Sequence, residues 1–171
     1  MIIHPDFQLF NATNNTDIGS FNDLGLIKIN QSFIFNEFVN KAMLSKGSPY
    51  GMPSCQAVGF GNSEYGSDHI MRFINVHEIL PCLNVSDNEL KTLYTNDFHI
   101  CSYPNNTESE LRNGDSGGPM VCPGNLLVGV AFWGKPQIEE PFVMLHVNVA
   151  SFIKWIRRST QESINPKEQV H

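Results

Sequence analysis

Turn-forming residues divide most of the chain into short apolar runs, and this pattern constrains the fold more than any other feature. The runs after residue 54 are Cys55–Phe60, Ile70–Val76, Phe98–Cys101, Pro119–Cys122, Leu126–Trp133 and Phe142–Val147. Short runs bounded by Gly, Pro, Asn and Ser, with no long helices between them, are typical of β-strands. The sequence therefore predicts an all-β barrel or sandwich.

Two segments of the chain favour helices instead. Ser86-Asp-Asn-Glu89 is a capping box that predicts a short helix running toward Tyr94. Residues Ala150–Ser159 place apolar side chains on one face and Lys and Arg elsewhere, which predicts an amphipathic helix closing on the strands. Upstream of the six runs, Leu24–Ile29 predicts one further strand.

Composition excludes several classes of function. The net charge of the 171 residues is −6, which gives no basis for a nucleic-acid partner. No apolar run approaches the ~20 residues that a membrane-spanning helix needs, so no membrane role is expected. The histidines show no metal-ligand spacing, so we expect no metal site; they are His4, His69, His77, His99, His146 and His171.

Cysteines and sequons indicate the compartment. The chain has four cysteines, at positions 55, 82, 101 and 122. Asn-X-Ser/Thr sequons, which are N-glycosylation acceptors, begin at Asn11, Asn14, Asn30, Asn84 and Asn105. Together these features predict an extracellular, glycosylated and disulfide-bonded protein. The first residues, MIIHPDFQLF, have no signal-peptide character. We therefore expect the chain to be a segment of a mature protein or a product that lacks its N-terminal part.

The segment Asn113–Met120, NGDSGGPM, carries the most specific chemical signal. Small residues around Ser116 allow a sharp backbone turn that exposes the hydroxyl, and Gly114 can offer an unobstructed N–H to an oxyanion. The alternative is a glycine-rich turn with a solvated serine. A run of six specified residues, GDSGGP, favours a nucleophile over that alternative.

This segment resembles the nucleophile loop of the trypsin/chymotrypsin-like serine proteases, and other segments resemble the same family in the same order. They are Ile3–Phe7, Asn22–Lys28, Cys55–Gly61, Val128–Gly134 and Asn148–Ile156, with the family patterns I-x-H-P-x-Y, N-D-I-A-L-L-K, C-x-V-x-G-W-G, V-G-I-V-S-W-G and the closing helix ending in W-I. The resemblance covers nearly all of residues 2–158. It implies a trypsin-like double β-barrel in which the second barrel and C-terminal helix are complete and only a remnant of the first barrel is present.

The resemblance also implies roles for single residues. Ser116 would be the nucleophile, the N–H groups of Gly114 and Ser116 the oxyanion hole, and Asp23 the carboxylate that orients the base. Asp115 would match the aspartate that receives the freed N-terminal amine on activation. No cofactor is implied. A peptide or protein substrate, or a protease partner, would bind, and the missing N-terminal barrel is a further candidate partner.

The resemblance extends to the cysteines with one departure. Cys55 and Cys122 match a family disulfide. Cys82 lies out of register with the family pattern, although a bridge from Cys82 to Cys101 is still expected. The family's bridge beside the nucleophile is absent, because Arg112 occupies one cysteine position and no cysteine follows Trp133.

The substrate pocket departs from the family as well. Glu110 occupies the position of the specificity residue, where an acid would favour Lys or Arg; the alternative is a solvated acidic loop. Trp133 and Gly134 match the pocket wall. Phe142 replaces a small glycine there and is expected to fill the pocket, and Phe132 replaces the serine that usually precedes Trp133.

The catalytic histidine has no counterpart in the chain. In the family it precedes the segment matched by Asn22–Lys28, in a T-A-A-H-C context that none of the six histidines shares. We therefore expect a truncated serine endopeptidase domain that is inactive as given, or a non-catalytic homologue that binds or regulates a partner. The expected organisation is a first-barrel remnant (1–35), a connector (36–54), the second barrel with its helix (55–159) and a polar tail (160–171).

Overall fold

A computed structural model describes residues 1–11, 18–63, 66, 69–85, 94, 97–106, 109–135 and 142–164. For residues 11, 18, 133–135 and 162–164 it describes the backbone alone. Ser86–Glu89, where a short helix is expected, lies outside the described residues.

Six strands close into one barrel, in the order β11-β8-β7-β6-β9-β10, with β10 pairing back to β11. All of the neighbours in the barrel are antiparallel. The strands are β6 (Gln56–Gly59), β7 (Arg72–Leu80), β8 (His99–Pro104), β9 (Pro119–Cys122), β10 (Leu126–Lys135) and β11 (Val143–Asn148). The six apolar runs of the sequence thus correspond to the six barrel strands, and the expected all-β fold with one complete barrel is confirmed.

The chain upstream of the barrel forms small ladders. Strands β1 (Ile2–Ile3) and β4 (Gly25–Leu26) pair with each other, as do β2 (Gln8–Asn11) and β3 (Ile18–Phe21). The expected strand at Leu24–Ile29 is therefore only two residues long, because β1 offers just two partners. In the connector, β5 (Met43–Leu44) adds to β10 in a parallel arrangement that the sequence did not indicate.

One helix, α1 (Val149–Ile164), follows β11 directly. Asn148 begins it, because its side-chain oxygen accepts the N–H of Ala150 at 3.2 Å while its amide donates to the carbonyl of Asp97. The helix runs past the predicted end at Ser159, and the Thr160 hydroxyl donates to the Ile156 carbonyl at 2.8 Å. Residues 160–164 of the expected polar tail thus continue the helix.

The barrel holds the protein's main core. One cluster fills the interior and includes Ile100, Met120, Val128 and Met144, all fully buried. Both cysteine pairs are disulfide-bonded: Cys55–Cys122 joins β9 to the residue just before β6, and Cys82–Cys101 joins a 3₁₀ turn to β8. The predicted disulfides are therefore present.

The N-terminal segments dock on the barrel through aromatic rings. Phe10 and Phe21 of the β2–β3 hairpin stack with ring centroids 4.5 Å apart, and both approach Tyr94. His99 lies 4.8 Å from Tyr94 and 5.3 Å from Phe132 of β10, which completes an aromatic cluster. This cluster connects the hairpin to the strand that supports the Ser116 loop.

Candidate active site

The loop that carries Ser116 is held against β10 by backbone hydrogen bonds. The Gly117 N–H donates to the Ala131 carbonyl at 2.6 Å, and the Ala131 N–H donates to the Gly118 carbonyl at 2.8 Å. Gly114 and Gly117 have φ angles of 101° and 84°, a backbone conformation that side chains with a Cβ rarely adopt. The glycines predicted from the motif to allow a sharp turn are thus required by the backbone conformation.

Ser116 lies at the surface of this loop. Its hydroxyl donates a 3.4 Å hydrogen bond to the Phe132 carbonyl. The N–H groups of Gly114 and Ser116, the predicted oxyanion-hole donors, make no hydrogen bond to a described residue. A loop that exposes a hydroxyl and carries two N–H groups without a described partner can stabilise a developing negative charge.

Asp115 points away from that surface, into the protein. Its two carboxylate oxygens accept the N–H groups of Gly61, at 2.8 Å, and Arg112, at 2.9 Å. A Cβ on Gly59 or Gly61 would collide with this carboxylate, so both glycines are needed for its placement. In this structure the residue predicted to receive an N-terminal amine therefore holds two backbone amides instead.

Glu110 and Arg112 form an ion pair beside Asp115. The Arg112 Nε donates to a Glu110 carboxylate oxygen at 2.8 Å, and both side chains are about a third exposed. They line a cavity of about 190 Å³ together with Asp115, Phe73 and Ile74. The resemblance singled out the position of Glu110 but did not indicate this pairing, although the sequence places an acid and an arginine two residues apart.

Asp23, the expected orienting carboxylate, lies between β3 and β4. It accepts a 2.9 Å hydrogen bond from the Ser20 hydroxyl and is half-buried. Within the described part of the chain, no histidine hydrogen-bonds Asp23 or the Ser116 hydroxyl. The structure therefore does not assemble a Ser-His-Asp triad from these residues.

The described histidines have other surroundings than Asp23 and the Ser116 hydroxyl. His4 packs on Phe152 and Trp155 of α1, with ring centroids at 5.3 Å and 4.8 Å, and His69 and His77 are exposed. His99 and His146 are buried, and this burial lowers the pKa of each imidazole to about 4. For His146 the Met144 backbone acts in the opposite direction, but burial outweighs it. Both are neutral at pH 7, and their burial was not evident from the sequence.

Among the remaining predicted pocket residues, the structure describes the side chain of Phe142 but only the backbones of Trp133 and Gly134. Phe142 is 7% exposed and belongs to the core cluster inside the barrel, and Leu111 packs against the same cluster. The backbones of Trp133 and Gly134 pair with Leu145 and Met144, but their side-chain environments are not described.

Among the sequons, Asn30, Asn84 and Asn105 are exposed, whereas the Asn11 side chain and Asn14 lie outside the described residues. Among the described residues, no group of His, Cys, Asp or Glu is arranged to hold a metal ion. No described helix is long and apolar enough to cross a membrane.

Comparison with known proteins identifies the family. The Trypsin family model matches residues 2–156. Human kallikrein-4 is 29% identical over 83% of this chain and 55% of its own length, and trypsin from Squalus acanthias is 28% identical over 93% and 65%. The solved structure of neuropsin, a serine protease of mouse brain, superposes with a TM-score of 0.65 at 20% identity, covering 93% of this chain and 69% of that one. The chain spans between 55% and 69% of the length of these three proteins. It belongs to the trypsin family of serine proteases.

Proposed function

We propose that this chain is the nucleophile-bearing part of a serine endopeptidase that hydrolyses peptide bonds in peptide or protein substrates. The observation that carries the proposal is the Ser116 loop, which exposes a hydroxyl and carries two N–H groups without described partners. Family membership supports the same chemistry.

In this reaction the Ser116 oxygen attacks the carbonyl carbon of the substrate. The carbonyl oxygen becomes an oxyanion that the N–H groups of Gly114 and Ser116 stabilise. The serine proton must move to a base, which then protonates the departing amine, and water later releases the acyl group from Ser116. Asp23 would orient a histidine in that role.

The base is the missing component. A serine hydroxyl without an adjacent base is a weak nucleophile, and among the described residues Ser116 contacts the Phe132 carbonyl instead. We therefore propose that these 171 residues alone are inactive and that the histidine comes from a further segment.

That further segment would be the rest of a first barrel. Apolar side chains of residues 27–38 are strongly exposed, which is unusual for a surface that no partner covers: Ile27, Ile29, Phe33, Ile34, Phe35 and Phe38. We propose that residues 1–35 are the remnant of that barrel, 36–54 the connector, 55–159 the second barrel with its helix, and 160–171 a polar tail whose first residues, 160–164, continue the helix.

We also propose that the protein is extracellular and glycosylated. The two disulfides persist in oxidising compartments, and three of its sequons present an exposed asparagine. Mass spectrometry before and after glycosidase treatment of the natural protein tests this. Unmodified Asn30, Asn84 and Asn105 would contradict it.

A second candidate function is a non-catalytic homologue that binds a protease or its substrate. The aromatic ring of Phe132 and the Glu110–Arg112 pair favour it, since both alter the region that would hold a substrate. Such a protein would keep the loop geometry without needing a base.

A fluorophosphonate probe, which reacts with activated serines, separates these candidates. We expect labelling of Ser116 in the natural protein and none in the 171-residue chain, with Ser116→Ala as the control. No label on correctly folded natural protein would favour the non-catalytic function, and strong label on the 171-residue chain would contradict the need for a further segment.

A further inference from the structure

His146 lies in the interior of the barrel without a polar partner. Its side chain is fully buried, and neither ring nitrogen forms a hydrogen bond with a described residue. The hydroxyl of Ser102, on the neighbouring strand β8, is also buried and forms no hydrogen bond with the ring. A buried polar side chain without a partner weakens a fold, so its presence here calls for a physical explanation.

Packing fixes the His146 ring against β10. His146 is the cross-strand partner of Ala131, and both side chains are buried. A Cβ built on Gly129, two residues earlier in β10, would lie 2.9 Å from the His146 Cβ and 3.4 Å from its Cγ. Glycine at position 129 therefore leaves the space that the histidine side chain needs. The pairing of β10 with β11 shifts register between Ala131 and Trp133, directly beside this contact.

Ala131 is also the residue that holds the Ser116 loop. Its carbonyl accepts the Gly117 N–H at 2.6 Å, and its N–H donates to the Gly118 carbonyl at 2.8 Å. Both bonds use the edge of Ala131 that points away from β11, so Ala131 and His146 meet through their side chains. A movement of His146 can therefore reach the loop through a single residue.

The described groups around His146 offer no counter-charge to a proton. The interior beside it is apolar, with Ile100 opposite it on β8 and Met120 on β9. Tyr50 packs against the same core; burial first and Asp97 second raise its pKa, so it stays neutral between pH 5 and pH 7.5. A charged imidazole would lack both water and an ionic partner here, which strongly disfavours it.

The second buried imidazole, His99, faces the other way. It pairs with Val147, the residue after His146, so its side chain lies on the opposite face of the sheet. There it packs on the rings of Tyr94 and Phe132. The two histidines thus occupy separate surroundings, and His99 provides a matched control for His146.

We propose that His146 is a positioning residue whose neutral imidazole keeps Ala131, and through it the Ser116 loop, in place, and that protonation of this imidazole releases the loop. A charged ring would have to turn out of the interior to reach water, which displaces Ala131 from Gly117 and Gly118. The inference deepens the proposed function and rests on it in one respect, since it takes the Ser116 loop as the nucleophile loop.

The direction of the pH dependence follows from burial. Burial lowers the pKa of His146 to about 4, below the ordinary value of 6.5, although the Met144 backbone acts in the opposite direction. Between these two pH values the released form, in which the ring reaches water, binds more protons than the closed form. The loop is therefore held at pH 7.5 and is released increasingly as the pH falls toward 4.

Amide hydrogen exchange of the 171-residue chain, followed by NMR at pH 7.5 and pH 5, tests the inference. The amides of Gly117 and Ala131 report on the loop, and that of Val76, which donates to the Cys55 carbonyl at 2.9 Å, reports on β7. After correction for intrinsic exchange rates, we expect the protection of Gly117 and Ala131 to fall about thirtyfold between the two pH values. Both should stay less protected than Val76, because the loop opens without the barrel.

Two variants remove the titrating group and keep an apolar side chain, His146→Met and His146→Phe. In each, the protection of Gly117 and Ala131 should no longer fall with pH. The matched control His99→Met should keep the fall. Near-UV circular dichroism checks that each variant is folded, and if both His146 variants fail to fold, the unmodified chain and His99→Met decide the outcome.

Four results would overturn the inference. They are no fall in the unmodified chain, a fall that persists in the His146 variants, a fall abolished by His99→Met, and equal protection of Gly117 and Val76 at pH 5. Exchange requires no catalysis, so its outcome is separable from that of the serine probe. An unlabelled Ser116 in the natural protein together with acid release of the loop would reject the endopeptidase and keep the inference, and the reverse pattern would do the opposite.

Discussion

The barrel and the segment before it differ in how they bury apolar side chains. In the barrel, Ile100, Met144 and Leu145 are completely buried and every strand is paired with a barrel strand on each side. In the upstream segment, Ile34 and Phe38 are 86% and 87% exposed, and β1 to β4 form two separate two-stranded ladders. Isolated two-stranded ladders are marginal in water. The barrel can therefore stabilise itself, whereas the upstream segment depends on what it docks against.

Removing the Cys55–Cys122 disulfide, which lies in the barrel, should cause the largest loss in the free energy of unfolding. The bridge spans a sequence separation of 67, and in the chain-entropy model a loop of that size contributes about 4 kcal/mol to the free energy of unfolding. Urea denaturation of Cys55→Ala/Cys122→Ala measures the loss. Removing Cys82–Cys101, with a separation of 19, should cost less, about 3 kcal/mol. Equal losses for the two disulfides would argue against loop entropy as the origin of their stabilising effect.

Truncating one isoleucine in each region compares the two directly. Ile100→Ala creates a cavity in a closed core, and we expect a loss of about 3 kcal/mol in the free energy of unfolding. Ile34→Ala, the matched control, removes the same atoms from an exposed site and should change it by less than about 0.5 kcal/mol. A comparable loss at Ile34 would mean that the upstream segment is packed in solution.

Acid should weaken the barrel through its buried histidines. Burial lowers the folded-state pKa of His146 to about 4, below the unfolded value of 6.5, so the unfolded chain binds more protons between these two pH values. Stability is then full above about pH 6.5 and falls as the pH drops toward 4, by about 2 kcal/mol at pH 5 for His146.

The test is urea denaturation of the unmodified chain and of His146→Met at pH 7.5 and pH 5. The variant should lose less stability on acidification, although His99, also with a pKa lowered to about 4, should leave part of the effect in place. Identical pH dependence of the two proteins would exclude His146 as a source of the acid sensitivity.

The smallest effect on stability is expected at Phe38. Phe38→Ser removes an 87% exposed ring and should alter the free energy of unfolding by less than about 0.5 kcal/mol. If the exposed rings associate with one another, sedimentation velocity should show less self-association for this variant. Matched truncation of the buried Phe152, which is 2% exposed, should instead destabilise the protein.

The sequence was most informative where the contacts are local or the motif is long. Short apolar runs separated by turn-forming residues predicted the six barrel strands, and GDSGGP predicted a glycine-dependent turn at Ser116. Strand β5 could not be found in this way, because Met43 and Leu44 depend on a non-local partner in β10. The end of α1 was missed because polar residues such as Thr160 continue the helix with no apolar periodicity.

Site residues were harder to place than strands. The motif identifies Ser116 but does not indicate that its hydroxyl contacts the Phe132 carbonyl, since that contact depends on how the loop meets β10. Likewise, His99 and His146 are polar residues that are buried in the structure. Their burial follows from their positions in β8 and β11, which the residue type does not indicate.

The parallel pairing of β5 with β10 ties the connector to the strand that supports the Ser116 loop. Leu44 pairs with Leu127, and the Ser45 N–H donates to the Leu127 carbonyl at 2.9 Å. The same strand continues to Phe132, whose carbonyl accepts the Ser116 hydroxyl. A displacement of Met43 or Leu44 would therefore act on the same strand whose carbonyl accepts the Ser116 hydroxyl.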